Sequence, residues 1–154
     1  MTLVVATVGR PQSGPIAEAI AAYEQRAARY WPLQVKEVRD GAGRGASAAV
    51  TRREEGERLL AALPGRGDVV ACDERGTPMT SEAFAAWLGR VRDLGGAVSF
   101  VIGGAHGLDD AVRARATRVL ALAPWTLPHE MARLVLVEQL YRAGTILRGE
   151  PYHK

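Results

Sequence analysis

The sequence predicts an α/β fold, a parallel sheet with helices packed on both faces. Two observations carry the prediction. Short continuous apolar runs rich in β-branched residues recur along the chain, as strands buried on both faces require, and between them lie stretches whose apolar residues repeat at helical spacing. A chain of 154 residues with 47% apolar and 24% charged residues has the size and composition of one folded domain, so a single domain over residues 1–154 is expected.

Thr2 to Val8 is an unbroken apolar run ending at Gly9-Arg10-Pro11, which reads as a buried central strand followed by a turn. Ser13-Gly14-Pro15 offers a cap and a first-turn proline. Ile16, Ala19, Ile20, Tyr23, Ala27 and Tyr30 then recur at helical spacing up to Trp31-Pro32. Leu33, Val35 and Val38 indicate a second strand, and the glycine-rich Asp40 to Gly45 a mobile loop. Ser47 can cap a helix to about Leu63, with Glu54, Glu55 and Glu57 beside Arg52, Arg53 and Arg58 on exposed faces.

A third strand, Asp68 to Cys72, is expected to deliver Asp73-Glu74-Arg75-Gly76 into a loop at its carboxyl end. Thr80 or Ser81 caps the next helix, which carries Phe84, Trp87, Leu88 and Val91 and stops at Gly95-Gly96. The strand Ala97 to Ile102 follows and runs straight into Gly103-Gly104-Ala105-His106-Gly107. A short helix from Leu108 to Ala116, a short strand from Val119 to Ala121, a loop from Pro124 to His129 and a last helix from about Glu130 to Leu147 complete the chain. Ligands of such sheets bind beyond the carboxyl ends of strands, so the loops at Asp73, at Gly103 to Gly107 and at Pro124 to His129 should converge.

Composition narrows the classes. No apolar run approaches the roughly 18–20 residues of a membrane span and the N-terminus has no basic leader, so a cytoplasmic protein without membrane attachment is expected. The lone Cys72 rules out an internal disulfide and a cysteine zinc cluster. His106, His129 and His153 have no paired spacing, so no metal is expected. The formal charge of +3 is unevenly placed: residues 1–110 carry 13 basic and 14 acidic side chains, residues 111–154 carry 7 and 3. A basic C-terminal end suits an anionic partner such as RNA; ordinary solvated charge explains it about as well.

Gly103-Gly104-x-x-Gly107 after a strand leaves backbone amides open to a ligand, although a tight structural turn has the same composition. It matches neither a dinucleotide-binding nor a P-loop pattern, and no G-x-S-x-G elbow is present. His129, at the mouth of the last helix, could touch a ligand or cap the first turn. Glu138 and Arg142 are spaced to pair on that helix, the plain reading being a surface ion pair. The tail, Arg148 to Lys154, concentrates Tyr152, His153 and Lys154 where chain ends usually fray. Either it meets a base and a phosphate, or it docks on its own protein.

Four segments, LVVATVGR near the start, REEGERLL at 53–60, FVIGGAHGL at 100–108 and WTLPHEMARLVLVEQLYRAGTILRGEPYHK at 125–154, resemble the RlmH family of large-subunit ribosomal RNA methyltransferases, of the SPOUT class. The resemblance spans the chain. It implies a C-terminal trefoil knot, which pattern reasoning would not propose, a homodimer, and an S-adenosylmethionine site at Cys72, Asp73, Gly103, Gly104, Leu122, Ala123, Pro124, Trp125, Thr126 and Leu127. It implies methylation of N3 of a pseudouridine in 23S ribosomal RNA on the assembled 70S ribosome. On that basis Arg142, Tyr152 and His153 are expected to handle the base and its proton, with His129, Glu138 and Lys154 on the substrate side. Ala123-Pro124 and Ala105-His106 depart from the family pattern and bear on individual contacts. The rival readings are a SPOUT enzyme acting on another RNA, such as transfer RNA, and a non-catalytic ribosome- or RNA-binding module.

Overall fold

A computed structural model describes all residues, Met1 to Lys154. Five strands, β1 (Thr2–Val8), β2 (Leu33–Val38), β3 (Asp68–Pro78), β4 (Ala97–Ile102) and β5 (Arg118–Ala121), form one sheet in the order β2-β1-β4-β3-β5. All four pairings are parallel. The helices are α1 (Pro15–Ala27), α2 (Ala48–Ala62), α3 (Ser81–Asp93), α4 (Asp110–Arg115) and α5 (His129–Leu147). None is long and apolar enough to cross a membrane.

The continuous apolar strands have the cause assigned to them. Leu3 and Val5 of β1 face one hydrophobic cluster, with Trp31, Phe84, Leu88, Phe100, Leu136 and Leu140, while Val4, Ala6 and Val8 face a second, with Leu59, Val101, Leu108 and Val112. Helices α1, α3 and α5 therefore cover one face of the sheet, and α2 and α4 the other. Each fully buried Leu, Val or Phe contributes about 1.5–3 kcal/mol, so a strand with two covered faces is held by every residue. The indole N–H of Trp31 donates to the Leu140 carbonyl at 2.7 Å, tying the segment after α1 to α5.

β1 is a buried central strand as expected, paired with β2 and β4, while β4 occupies the middle of the five. Several expectations are corrected. Gly14 is the N-cap of α1, with no side-chain cap, and the helix ends at Ala27, with residues 28–30 continuing as turns. Asp73 to Gly76 do not end the third strand: β3 runs on to Pro78, with Cys72 and Thr77 both opposite Leu120, so these four residues form an excursion within one strand. Glu55 is not on an exposed face. It is 4% exposed, on the side of α2 that packs toward the sheet. Ser47 and Thr80 do cap α2 and α3, accepting from Val50 and Ala83.

Candidate functional site

The parallel order puts the excursion within β3 beside the loops that follow β4 and β5, and these three segments line a single cleft of about 520 Å³. Of the residues expected at a cofactor site, Cys72, Asp73, Gly103, Gly104, Leu122, Ala123, Trp125, Thr126 and Leu127 line it; Pro124 lies in the same loop but off the lining. His129 lines it as well, as the first residue of α5. The N-cap there is Pro128 and no side chain caps the helix, so the capping reading of His129 fails.

The glycines are dictated by contact. A Cβ on Gly103 would sit 2.7 Å from the Gly107 backbone, and one on Gly104 would sit 2.8 Å from a carboxylate oxygen of Glu55. The loop closes with Gly107 N–H donating to the Gly104 carbonyl at 3.0 Å. Across the cleft, Thr126 donates from its hydroxyl to Glu74, joining the loop before α5 to the β3 excursion.

Asp73 organises the other wall. It accepts from Arg75 and, at 2.9 Å, from Arg113, whose guanidinium also donates to the Leu108 carbonyl. Burial alone would raise the Asp73 carboxyl, but the hydrogen bonds and charge of Arg75, then Arg113, hold it below its usual value of 3.8. A lowered folded-state pKa stabilises above the unfolded value and ceases to as pH falls. Acid titration below about pH 4 is therefore expected to weaken the Asp73–Arg113 junction progressively, and Asp73→Asn to remove that part of the acid dependence of thermal unfolding. Cys72 beside it is pushed up to about 12, by burial and then by the Asp73 charge. Its thiol should alkylate at neutral pH far more slowly than a free cysteine, timed with iodoacetamide in the folded and unfolded protein.

Sequence reasoning missed Arg52 and the start of α4, where Asp109, Asp110 and Arg113 also line the cleft; His106 lines it from the glycine loop that was expected there. A signal existed in the immediate succession of glycine loop and helix N-cap, Gly107-Leu108-Asp109. Arg52 had none, because only the assembled fold brings α2 beside the glycine loop.

The remaining expected residues gather elsewhere. Arg142 donates to Glu138 at 2.6 Å and its guanidinium lies 3.2 Å from His153 Nδ1, while His153 Nε2 faces Glu82 at 2.9 Å. The Tyr152 hydroxyl donates to Glu138 at 3.0 Å and meets the Tyr23 hydroxyl at 3.3 Å. The tail is thus docked on α1, α3 and α5, and Glu138–Arg142 is the half-buried centre of a network rather than a surface pair. Lys154 is exposed at the end. None of these residues lines the cleft of its own chain, so His129 and the tail, expected together, are apart.

Burial, then the hydrogen bonds with Tyr23 and Glu138, raises the Tyr152 phenol well above its ordinary value of 10. The stabilisation this gives is whole below pH 10 and is lost as pH rises through the folded-state value. Alkaline titration above pH 10 should therefore free the tail, read as a rise in phenolate absorbance together with carboxypeptidase sensitivity.

A family model described as predicted SPOUT methyltransferase matches residues 1–153. The chain is 58% identical over 154 residues, covering all of both proteins, to the ribosomal RNA large subunit methyltransferase H of Gemmatimonas aurantiaca. It is 53% identical, again over all of both, to the protein of that name from an Anaeromyxobacter species, and 45% identical over 99% of each to that from Geobacter metallireducens. A solved structure of a probable methylase family protein from Haemophilus influenzae shares the fold, with a TM-score of 0.54 and 14% identity over 99% of this chain and 70% of that one. With a glycine-loop cleft at the strand ends and a match over nearly its whole length, the chain belongs to the SPOUT methyltransferase family, among the relatives of methyltransferase H.

Proposed function

We propose that the chain methylates large-subunit ribosomal RNA with S-adenosylmethionine as donor, at N3 of a pseudouridine in 23S rRNA on the assembled 70S ribosome, as a cytoplasmic homodimer with a C-terminal trefoil knot. The observation that carries the reading is the cleft, in which bare glycine backbone meets both apolar and charged walls in a member of a methyltransferase family. Its volume lies within the roughly 300–1,000 Å³ of small-molecule sites.

The residues present fit the donor. Ile102, Leu108, Leu122 and Leu127 offer apolar surface to an adenine, and Asp73, Glu74, Asp109 and Asp110 offer negative charge to a sulfonium and an ammonium. Arg52 makes no ion pair in the chain and lines the cleft, suited to a carboxylate. When bound, the donor supplies an electrophilic methyl carbon on a sulfur that leaves readily. What remains for the chain is to align the target nitrogen with that carbon and to take its proton.

Tyr152 is held as a phenol and serves as a hydrogen-bond donor, which leaves His153 as the proton acceptor of the pair. Arg142 beside His153 supplies positive charge for the imide anion. Because this cluster stands apart from the cleft of its own chain, the reading has the tail of one subunit serve the cleft of the other.

The test is transfer of labelled methyl from S-adenosylmethionine to 70S ribosomes, large subunits and transfer RNA from cells lacking the enzyme, with the product nucleotide located by mass spectrometry. Methylpseudouridine in the large-subunit RNA of 70S ribosomes is expected. Label only in transfer RNA would move the substrate, and no transfer by a folded dimer would point to a binding module.

A further inference from the structure

The segment Arg53 to Leu60 carries a strong resemblance to the family, yet nothing in the cleft described above uses its central acid, Glu55. That side chain is 4% exposed, on the inner face of α2. Its Oε1 accepts the Gly41 N–H at 2.9 Å, and its Oε2 is the one buried side-chain polar atom with no hydrogen-bond partner. A buried carboxylate oxygen without a donor is costly, and such groups are rare enough to require a cause.

The surroundings of Oε2 supply one. It packs directly against Gly104, so closely that any side chain at 104 would collide with it. Gly104 belongs to the turn that lines the cleft on its other side. In that turn Gly104 and Gly107 pair as an antiparallel bridge, with Gly107 N–H donating to the Gly104 carbonyl, and the N–H groups of Ala105 and His106 donate to no backbone carbonyl and to no side chain of the chain. An acceptor without a donor therefore lies against a turn holding donors without acceptors. Glycine at 104 both permits the contact and leaves its peptide free to rotate.

We propose that Glu55 is a positioning residue for the cleft: when the methyl donor is seated, the Gly104–His106 turn rotates a backbone N–H onto Glu55 Oε2, and this bond fixes the turn in its binding geometry. The inference rests on the reading of the cleft as the donor site. Glu55 reaches that site only through the loop, since it does not line the cleft. Its other oxygen is already held by Gly41, so the carboxylate couples the loop after β2 to the loop after β4 and is itself fixed by the first.

Glu55→Gln is the discriminating variant, because it preserves shape but has one acceptor oxygen where two are needed. Its amide can satisfy Gly41 or the turn, not both. The measurements are calorimetric affinity for S-adenosylmethionine, hydrogen–deuterium exchange of the peptide spanning Gly103 to Gly107 with and without it, and the unfolding temperature. In the wild type, S-adenosylmethionine is expected to slow exchange in that peptide. In Glu55→Gln the affinity should fall at least tenfold and the added protection should vanish, with exchange of the free protein unchanged. Equal affinity and equal added protection in the variant overturn the proposal alone. Faster exchange in the free variant makes Glu55 a static strut and overturns it as well. Failure of the wild type to bind S-adenosylmethionine overturns the donor reading, and the proposal with it.

Discussion

Arg133→Ala is expected to destabilise the protein by about 3–5 kcal/mol, the range for removing one partner of a buried ion pair. Arg133 is 4% exposed, in the second turn of α5. Its guanidinium reaches Glu24 of α1 at 2.7 Å and Glu37 of β2 at 2.9 Å, so one residue ties the last helix to the first helix and to the edge strand. Without it two carboxylates face each other in a half-buried pocket, and the cost is mostly theirs. Arg10, which also pairs with Glu37 but is 87% exposed, is the control: Arg10→Ala should change stability by less than about 1 kcal/mol. Urea denaturation of both variants with fitted slopes separates the cases. A loss below 1 kcal/mol for Arg133→Ala would mean that water fills the site and that the network is ornamental.

His153→Ala is expected to lower the single-turnover rate of methyl transfer to ribosomes by about 10²-fold or more, the lower end of what a positioned proton acceptor supplies. Tyr152→Phe, which loses a donor but no proton acceptor, should cost less. The affinity for S-adenosylmethionine should be untouched in both, because the tail cluster and the cleft share no lining residue. If the tail serves the other subunit, a heterodimer of His153→Ala with a cleft variant such as Gly103→Val regains one working site, made of the intact tail of one chain and the intact cleft of the other. Unchanged rates in both tail variants would end the catalytic role of the tail. Loss of rate without rescue in the heterodimer would place tail and cleft in one subunit.

What was legible in the sequence follows from local physics. Strand and helix positions came through because a strand covered on both faces must be apolar throughout and a helix covered on one face must repeat its apolar residues. The loops after β4 and β5 were legible for a related reason: in a parallel sheet every strand runs the same way, so segments leaving the strands at that side are gathered without knowing strand order. Gly103 and Gly104 announced themselves as the residues without side chains.

Only the tertiary structure decided the rest. Glu55 reads as one more exposed acid in a charged helix, and nothing local says that its oxygen faces Gly104, a contact across 49 residues of chain made by the position of β4 beside β1. The excursion at Asp73 looks like the end of a strand until β5, pairing on both sides of it, shows that the strand continues. Tyr152 and His153 were visible as unusual residues, but their docking on Tyr23, Glu82, Glu138 and Arg142 depends on three helices packed on one face of the sheet. Periodicity is set by which side of each element is covered. Which side chain meets which across the core is set by strand order and helix placement, and these are properties of the assembled sheet.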